Sequence, residues 1–369
     1  MIKPLPYVEK IQPYVPGKPI KEVERELGIK KCYKLASNEN PLGPSPKVIE
    51  AIKEFLSNPE ELARYPEGSG YYLKNALCEI FSKKGVKLTH DEIILGNGSN
   101  ELLDIAVKTY LGPGDEAIMA KPSFIVYAMA VTAQGGVAKE VPLKDWRHDL
   151  EAMLEQITER TKIIFIANPN NPTGTMNYKD EFKKFMQKLP DNILVIVDEA
   201  YYEYVSSSDY PDTIKYFLDG RDILILRTFS KAYGLASLRI GYGIANKEII
   251  KDMNRIREPF NTNTIAQIAA ETALRDEEHL KKVLEINESG KKYLYKELDS
   301  IQQIKYLPTE TNFIYIILPS NISSKEVFEF LLREGVIIRP VGPNEIRVTI
   351  GLPEENEAFI KGFKKFLKI

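Results

Sequence analysis

The sequence predicts an α/β protein: a mostly parallel sheet of seven strands with helices on both faces, an extended arm before it and a smaller α+β unit after it. Three observations predict this class. Short apolar runs recur between residues 92 and 244, separated by stretches of helical period, which is the pattern of a sheet buried on both faces. Polar and glycine-containing motifs fall at the ends of four of those runs, where open α/β sheets bind ligands. At 369 residues the chain exceeds the ~250 to 300 residues at which a single core stops growing, so a second lobe is expected.

The elements follow in order. Residues 1–36 hold few periodic runs and carry Pro4, Pro6, Pro13, Pro16 and Pro19, so they read as an arm with one short helix at about 20–27 that needs a surface to lie on. The stretch LASNENPLGPS at 35–45 is a dense turn sequence, followed by a helix over 46–55. A helix over 71–84 and a strand over 92–95 come next, and the strand runs through Gly96-Asn97-Gly98 into a strongly periodic helix over 99–110. From there strands at 116–120, 136–142, 163–167, 193–197, 223–226 and 239–244 alternate with helices at 123–133, 150–157 and 178–188. A long amphipathic helix over 247–274, interrupted near Pro259, leads to the second unit. That unit contains a helix at 277–298, a strand at 313–317, a helix at 325–334, strands at 336–339 and 345–349, and a terminal helix from 353. The expected division is an arm over 1–36, a large domain over 37–258 and a small domain over 259–369.

Composition narrows the function. The 50 Lys and Arg balance 52 Asp and Glu, which gives no general attraction to nucleic acid or to an acidic membrane. Cys32 and Cys78 form neither a metal-ligand spacing nor a disulfide framework, as suits a reduced cytoplasmic protein. No apolar run reaches the ~18 residues of a membrane helix, and the start MIKPLPYVEKIQPY lacks the apolar centre of a signal peptide.

The chemistry centres on Lys231, in Thr228-Phe229-Ser230-Lys231 at the end of an apolar strand, with Arg239 eight residues on. A lysine amine kept partly neutral by burial or neighbouring cations condenses with a carbonyl to form a Schiff base; a lone lysine reads first as a solvated loop residue, and only the rest of the chain changes that. The strand, glycine loop and helix start around Gly98, Ser99 and Asn100 make a phosphate cradle or a plain helix cap. Asp198 ends another apolar strand, 33 residues before Lys231, and a carboxylate there needs a cationic partner to offset its burial. A Schiff-base lysine, an acid for a pyridine nitrogen and a phosphate cradle together match a pyridoxal phosphate site.

NPNNPTG at 168–174, DEAY at 198–201 and SK with Arg239 occur in the order and spacing of the class I and II aminotransferases, and the chain resembles that family, whose fold is the fold-type I pyridoxal phosphate architecture. The resemblance implies that Lys231 holds the cofactor covalently, Asp198 bonds its pyridine nitrogen, Asn171 and Tyr201 contact the ring hydroxyl and Phe124 stacks on the ring. It implies that Ser99, Asn100, Ser230 and Arg239 hold the phosphate with Thr228 nearby, and that Tyr65 reaches that phosphate from the other subunit of a homodimer. IQPYVPGKP at 11–19, LASNENPLGPS, RYPE at 64–67 and RVTIG at 347–351 resemble the histidinol-phosphate branch of the family. That branch implies histidinol phosphate and 2-oxoglutarate, with glutamate as a product, as substrates, and Arg347, with Arg339, Tyr14 and Asn38 beside it, as the residues that bind them. Asn100 and Phe124 depart from the acidic residue and the tyrosine common at those positions. An aromatic amino acid aminotransferase or a threonine-phosphate decarboxylase would use the same cofactor residues; a non-catalytic regulator on this scaffold would have no need for Lys231, Asp198 and Arg239.

Overall fold

The computed structural model describes residues 2–14, 17–28 and 31–369; Val15 and Pro16 of the arm motif lie outside the described residues. The arm carries the expected helix, Ile20–Leu27, and then a two-residue strand, β1 (Tyr33–Lys34). The strands that follow are β2 (Ile93–Gly96), β3 (Glu116–Lys121), β4 (Val137–Pro142), β5 (Thr161–Ala167), β6 (Leu194–Asp198), β7 (Ile223–Thr228) and β8 (Gly241–Ile244). They form one sheet in the order β2-β8-β7-β6-β5-β3-β4. Every neighbouring pair is parallel except those made by β8, which runs against both β2 and β7. The expected fold-type I sheet is therefore present, with one reversed strand.

Strand residues alternate between two apolar layers. Val195 and Val197 of β6, and Ile223 and Ile225 of β7, face a layer with Leu77, Phe81 and Phe182. Leu194, Ile196, Leu224 and Leu226 face a layer with Leu103, Tyr127 and Phe165. Both layers are closed to water, which is why these strands read as continuous apolar runs rather than as alternating ones. Each fully buried large side chain, such as Phe165 or Phe182, contributes about 1.5–3 kcal/mol.

The second unit is built on β9 (Lys305–Leu307), β10 (Phe313–Ile317), β11 (Val336–Ile337), β12 (Arg339–Pro340) and β13 (Glu345–Thr349). β12, β13, β10 and β9 form an antiparallel sheet. The single strand expected over 336–339 is split at Ile338, because its first half pairs in parallel with β1 and its second half with β13. The arm thus adds a strand to this unit, and Leu35 enters its apolar core. The helix expected over 247–274 is two helices, Lys247–Ile256 and Thr264–Arg275, with a break at 257–263 around Pro259. The second piece packs on the helices Pro46–Leu56 and Tyr71–Lys83. Its Ala266, Ala269, Ala270 and Ala273 join a core layer of the large sheet, small side chains at helical spacing that permit close approach. This packing favours a domain boundary after Arg275 over one at residue 259.

The helix expected from residue 123 begins at Val126, because Ser123 is pinned to the neighbouring loop by its bond to Asn170 Oδ1 at 3.0 Å. After β4 the chain turns at Lys144–Arg147, with Asp145 and Trp146 at φ 49° and 62°. The Trp146 ring lies 5.5 Å from that of Tyr315 on β10, a contact between the two units. Among the described residues no helix is long and apolar enough to cross a membrane.

Candidate active site

The carboxyl ends of the central parallel strands and one helix start build the site. β6 closes on Asp198, β5 runs out into the 168–174 loop, and β7 closes on Thr228 and delivers Ser230 and Lys231. Facing them, Gly98 turns the chain at φ 82° into the helix Ser99–Tyr110, which has no side-chain cap, so its first N–H groups are available to an anion. Ser99, Asn100, Phe124, Asn171, Asp198, Tyr201, Thr228, Ser230, Lys231 and Arg239 all line one cavity of about 170 Å³.

Lys231 Nζ donates to the carbonyl of Ser37 at 3.1 Å, so the turn after the arm closes over the amine. Burial, reinforced by Arg347 and Arg239, pulls this lysine down to about 8. At neutral pH a usable fraction of it is therefore uncharged, as Schiff-base chemistry requires. Asp198 shows the opposite effect: burial pushes its carboxyl up to about 6 against the hydrogen bonds that hold it ionised. Those bonds come from the Tyr127 hydroxyl to Oδ2 at 2.8 Å and from the Ala200 amide to Oδ1 at 3.2 Å. A cation placed beside this carboxylate would relieve the cost of its burial.

The expected phosphate cradle is close-fitting. Arg239 Nη1 donates to Ser230 Oγ at 3.3 Å. A Cβ on Gly98 would lie 2.4 Å from Arg239 Nη2, and one on Gly241 would lie 2.4 Å from the Ser99 amide nitrogen. Gly98→Ala combines that collision with a strained φ costing about 1–3 kcal/mol, so cofactor affinity is expected to fall by about tenfold or more. Equilibrium dialysis of the apo variant measures it, and an unchanged dissociation constant would remove Gly98 from the cradle.

Of the substrate candidates, Arg339 and Arg347 come from the small unit, and Tyr14 and Asn38 from the arm and the turn after it. Arg347 donates through Nη1 to Asn171 Oδ1 at 2.5 Å and through Nη2 to the Ala36 carbonyl at 2.7 Å, while its buried Nε has no partner. Arg339 sits directly opposite Arg347 in the β12–β13 ladder, and its guanidinium lies 5.4 Å from the ring of Tyr14. Like charges at such a cross-strand position repel, and an anion bound between the two would offset the repulsion. Asn38, at φ 56°, is fixed by its backbone N–H, which donates to Thr349 Oγ1 at 2.9 Å, and donates from Nδ2 to the Tyr201 hydroxyl at 2.8 Å.

Tyr65 is the cofactor candidate that the structure keeps out of the cavity of its own chain. It is 81% exposed, stacks on Phe260 at 4.7 Å and lines a separate pocket. Tyr127 is the residue that sequence reasoning missed: fully buried and stacked on Phe165 at 4.8 Å, it reads as core. Its place three residues after Phe124, on the same helical side, was the available signal.

An amine, a buried carboxylate and an anion cradle in one cavity fit the aldehyde, the ring nitrogen and the phosphate of pyridoxal phosphate. Comparison with known proteins agrees. The family model described as aminotransferase class I and II matches residues 30–363. A histidinol-phosphate aminotransferase from Moorella thermoacetica is 48% identical over 362 residues, covering 97% of this chain and 91% of that protein. One from Caldicellulosiruptor saccharolyticus is 46% identical, covering 98% of this chain and 99% of its own. The solved structure of the Sinorhizobium meliloti histidinol-phosphate aminotransferase, in complex with pyridoxal 5'-phosphate, superimposes with a TM-score of 0.89 at 26% identity, covering 100% of this chain and 98% of that one.

Proposed function

Because the chain belongs to the class I and II aminotransferases, we propose that it moves an amino group reversibly between L-histidinol phosphate and 2-oxoglutarate in histidine biosynthesis. The products are imidazole acetol phosphate and L-glutamate, and the cofactor is pyridoxal 5'-phosphate. The observation that carries the substrate choice is the opposed pair Arg339 and Arg347, with Arg347 close enough to Lys231 to lower its pKa. Histidinol phosphate brings a phosphate and no carboxylate, whereas glutamate brings two carboxylates. One pocket must therefore accept either anion, and planar guanidinium forks suit both.

In this reading Ser99, Asn100, Ser230 and Arg239 hold the cofactor phosphate, with Thr228 beside them. Phe124 packs on the ring, Asn171 and Tyr201 meet its hydroxyl, and Asp198 keeps a proton on its nitrogen. When bound, the cofactor supplies an electron sink for negative charge at the donor carbon. Lys231 Nζ, free as a base in part because of its pKa near 8, would take the proton from that carbon and deliver it to the cofactor's aldehyde carbon, and would carry a proton the opposite way in the second half-reaction. Asn38 orients the Tyr201 hydroxyl, and the Ser37 carbonyl holds Nζ between proton transfers.

The reading includes a cytoplasmic homodimer in which Tyr65 of one copy reaches the phosphate cradle of the other. The exposure of that aromatic pair, Tyr65 and Phe260, supports it, because a stacked apolar surface of this kind is suited to burial against a second chain.

Arg347→Ala is expected to cost about 2–5 kcal/mol of binding to each anionic substrate, on the order of 10²-fold in kcat/KM for both. Steady-state constants near wild type for both would remove Arg347 from the pocket. The function itself is tested by single-turnover absorbance. Holoenzyme is mixed separately with histidinol phosphate, phenylalanine, tyrosine and threonine phosphate. Fast loss of the bound-cofactor band with histidinol phosphate, restored by 2-oxoglutarate, is the expected result. Bleaching by the aromatic amino acids alone, or release of carbon dioxide from threonine phosphate, would replace the substrate.

A further inference from the structure

Asp198 accepts from the Tyr127 hydroxyl and the Ala200 amide, and Tyr127 is not among the residues expected to hold the cofactor. The sheet explains how it reaches. Phe165 of β5 pairs with Ile196 of β6, and Asp198 lies two residues further along β6, so Phe165 and Asp198 share a face of the sheet. Tyr127, at the start of the helix Val126–Ala133, lies flat on Phe165, with ring centres 4.8 Å apart and planes 7° from parallel. Phe124 meets it edge-on at 5.5 Å. A ring held on two sides fixes where its hydroxyl points, and that hydroxyl lies 2.8 Å from Asp198 Oδ2. Tyr127 lines the same cavity as Asp198 and Lys231.

The chemical character of this donor matters. Burial raises the Tyr127 phenol well above 10, and the carboxylate beside it acts in the same direction, so the group stays neutral. A hydroxyl favours the ionised form of the carboxyl yet brings no positive charge. A lysine or arginine in its place would pair with Asp198 outright and compete with a cationic ring. The other charges facing Asp198 are Lys231, which favours its ionisation, and Glu199, which opposes it. Tyr201, the remaining titratable neighbour, is pushed up to about 12 by burial and is neutral as well. Each carboxylate oxygen, with one donor taken, keeps a lone pair for a further partner.

We propose that Tyr127 is a positioning residue for the reaction: its hydroxyl keeps Asp198 ionised and aimed while leaving the carboxylate's charge to the cofactor's ring nitrogen. This rests on the reading of Asp198 as the partner of that nitrogen.

Tyr127→Phe keeps the ring and removes only the donor. In the full-length chain freed of cofactor, the protonated Asp198 carboxyl is followed by its infrared carbonyl band, identified as the band that Asp198→Asn abolishes. The midpoint of its titration, about 6 in the wild type, is expected to rise by about one unit or more in Tyr127→Phe, because the lost donor favoured the charged form. This arm uses neither cofactor nor substrate, so it tests Tyr127 apart from both. With cofactor bound, the single-turnover rate with histidinol phosphate is expected to fall about tenfold or more, and to show no such fall when Asp198→Asn is already present. An unmoved midpoint overturns the proposal, as does a fall that persists in the Asp198→Asn background. A moved midpoint with an unchanged rate overturns it too; if Asp198→Asn alone then also leaves the rate unchanged, the reading of Asp198 has failed with it. Should Tyr127→Phe not fold, a ring-fluorinated tyrosine in place of Tyr127, a stronger donor of nearly the same shape, decides: it is expected to lower the midpoint, and no movement overturns the proposal.

Discussion

Lys231→Ala is expected to lower transamination by at least ~10⁴-fold with the fold and the cavity intact. The expectation rests on how little else the amine does. Among the described residues its one hydrogen bond is to the Ser37 carbonyl, so its removal frees one acceptor at the edge of a cavity that water can enter. Among the described residues no other lysine lines that cavity, so the proton transfer has no substitute base of the same kind there. Single-turnover absorbance with histidinol phosphate, beside circular dichroism of the variant, separates loss of chemistry from loss of fold. A rate within tenfold of wild type would move the proton transfer to another group.

Asp198→Asn keeps the shape and the acceptor oxygen for the Ala200 amide and removes the charge. Loss of one partner from a buried ion pair costs about 3–5 kcal/mol, so a fall of about 10²- to 10⁴-fold in turnover is expected. The pH dependence of the wild-type apoprotein follows from the same carboxyl. Its pKa of about 6 in the folded chain lies above the ordinary 3.8. Ionisation there disfavours the folded state: stability from this group is present at low pH and is lost as pH rises from the unfolded value through 6. A cation beside Asp198 reverses that loss. Added cofactor should therefore raise the melting temperature of the apoprotein more at pH 8 than at pH 5, and this difference should shrink in Asp198→Asn. Equal shifts at both pH values in the wild type would separate Asp198 from the cofactor's ring nitrogen.

The large sheet was legible because its strands are buried on both faces, so each stands out as an apolar run between helical periods. The two helices at 247–275 read in the sequence as one long helix interrupted near Pro259; the interruption is there, but only Pro259 marks it and its seven-residue length is not legible. Their true allegiance lies in tertiary packing, where Ala266 and Ala270 meet the helices of the large sheet. β1 and β9 are two and three residues long, too short to show a period, and β11 and β12 were merged because a change of strand partner leaves no mark in composition. The cavity residues were legible together as strand-end motifs, Asn171, Asp198, Ser230 and Lys231 among them. Tyr127 was not, because a buried tyrosine that serves a carboxylate looks like any other core aromatic. Tyr65, which the family resemblance assigns to the phosphate of another copy of the chain, lies outside the cavity of its own chain.

The turn at Lys144–Arg147 carries the chain's single tryptophan onto Tyr315 of the small sheet, with the turn itself anchored by Thr175 Oγ1 on the Trp146 carbonyl at 2.6 Å. Trp146 thus belongs to the large unit by its backbone and to the small one by its ring. The protein's indole emission originates wholly at the seam between its two halves, a built-in optical gauge of any movement of one half against the other.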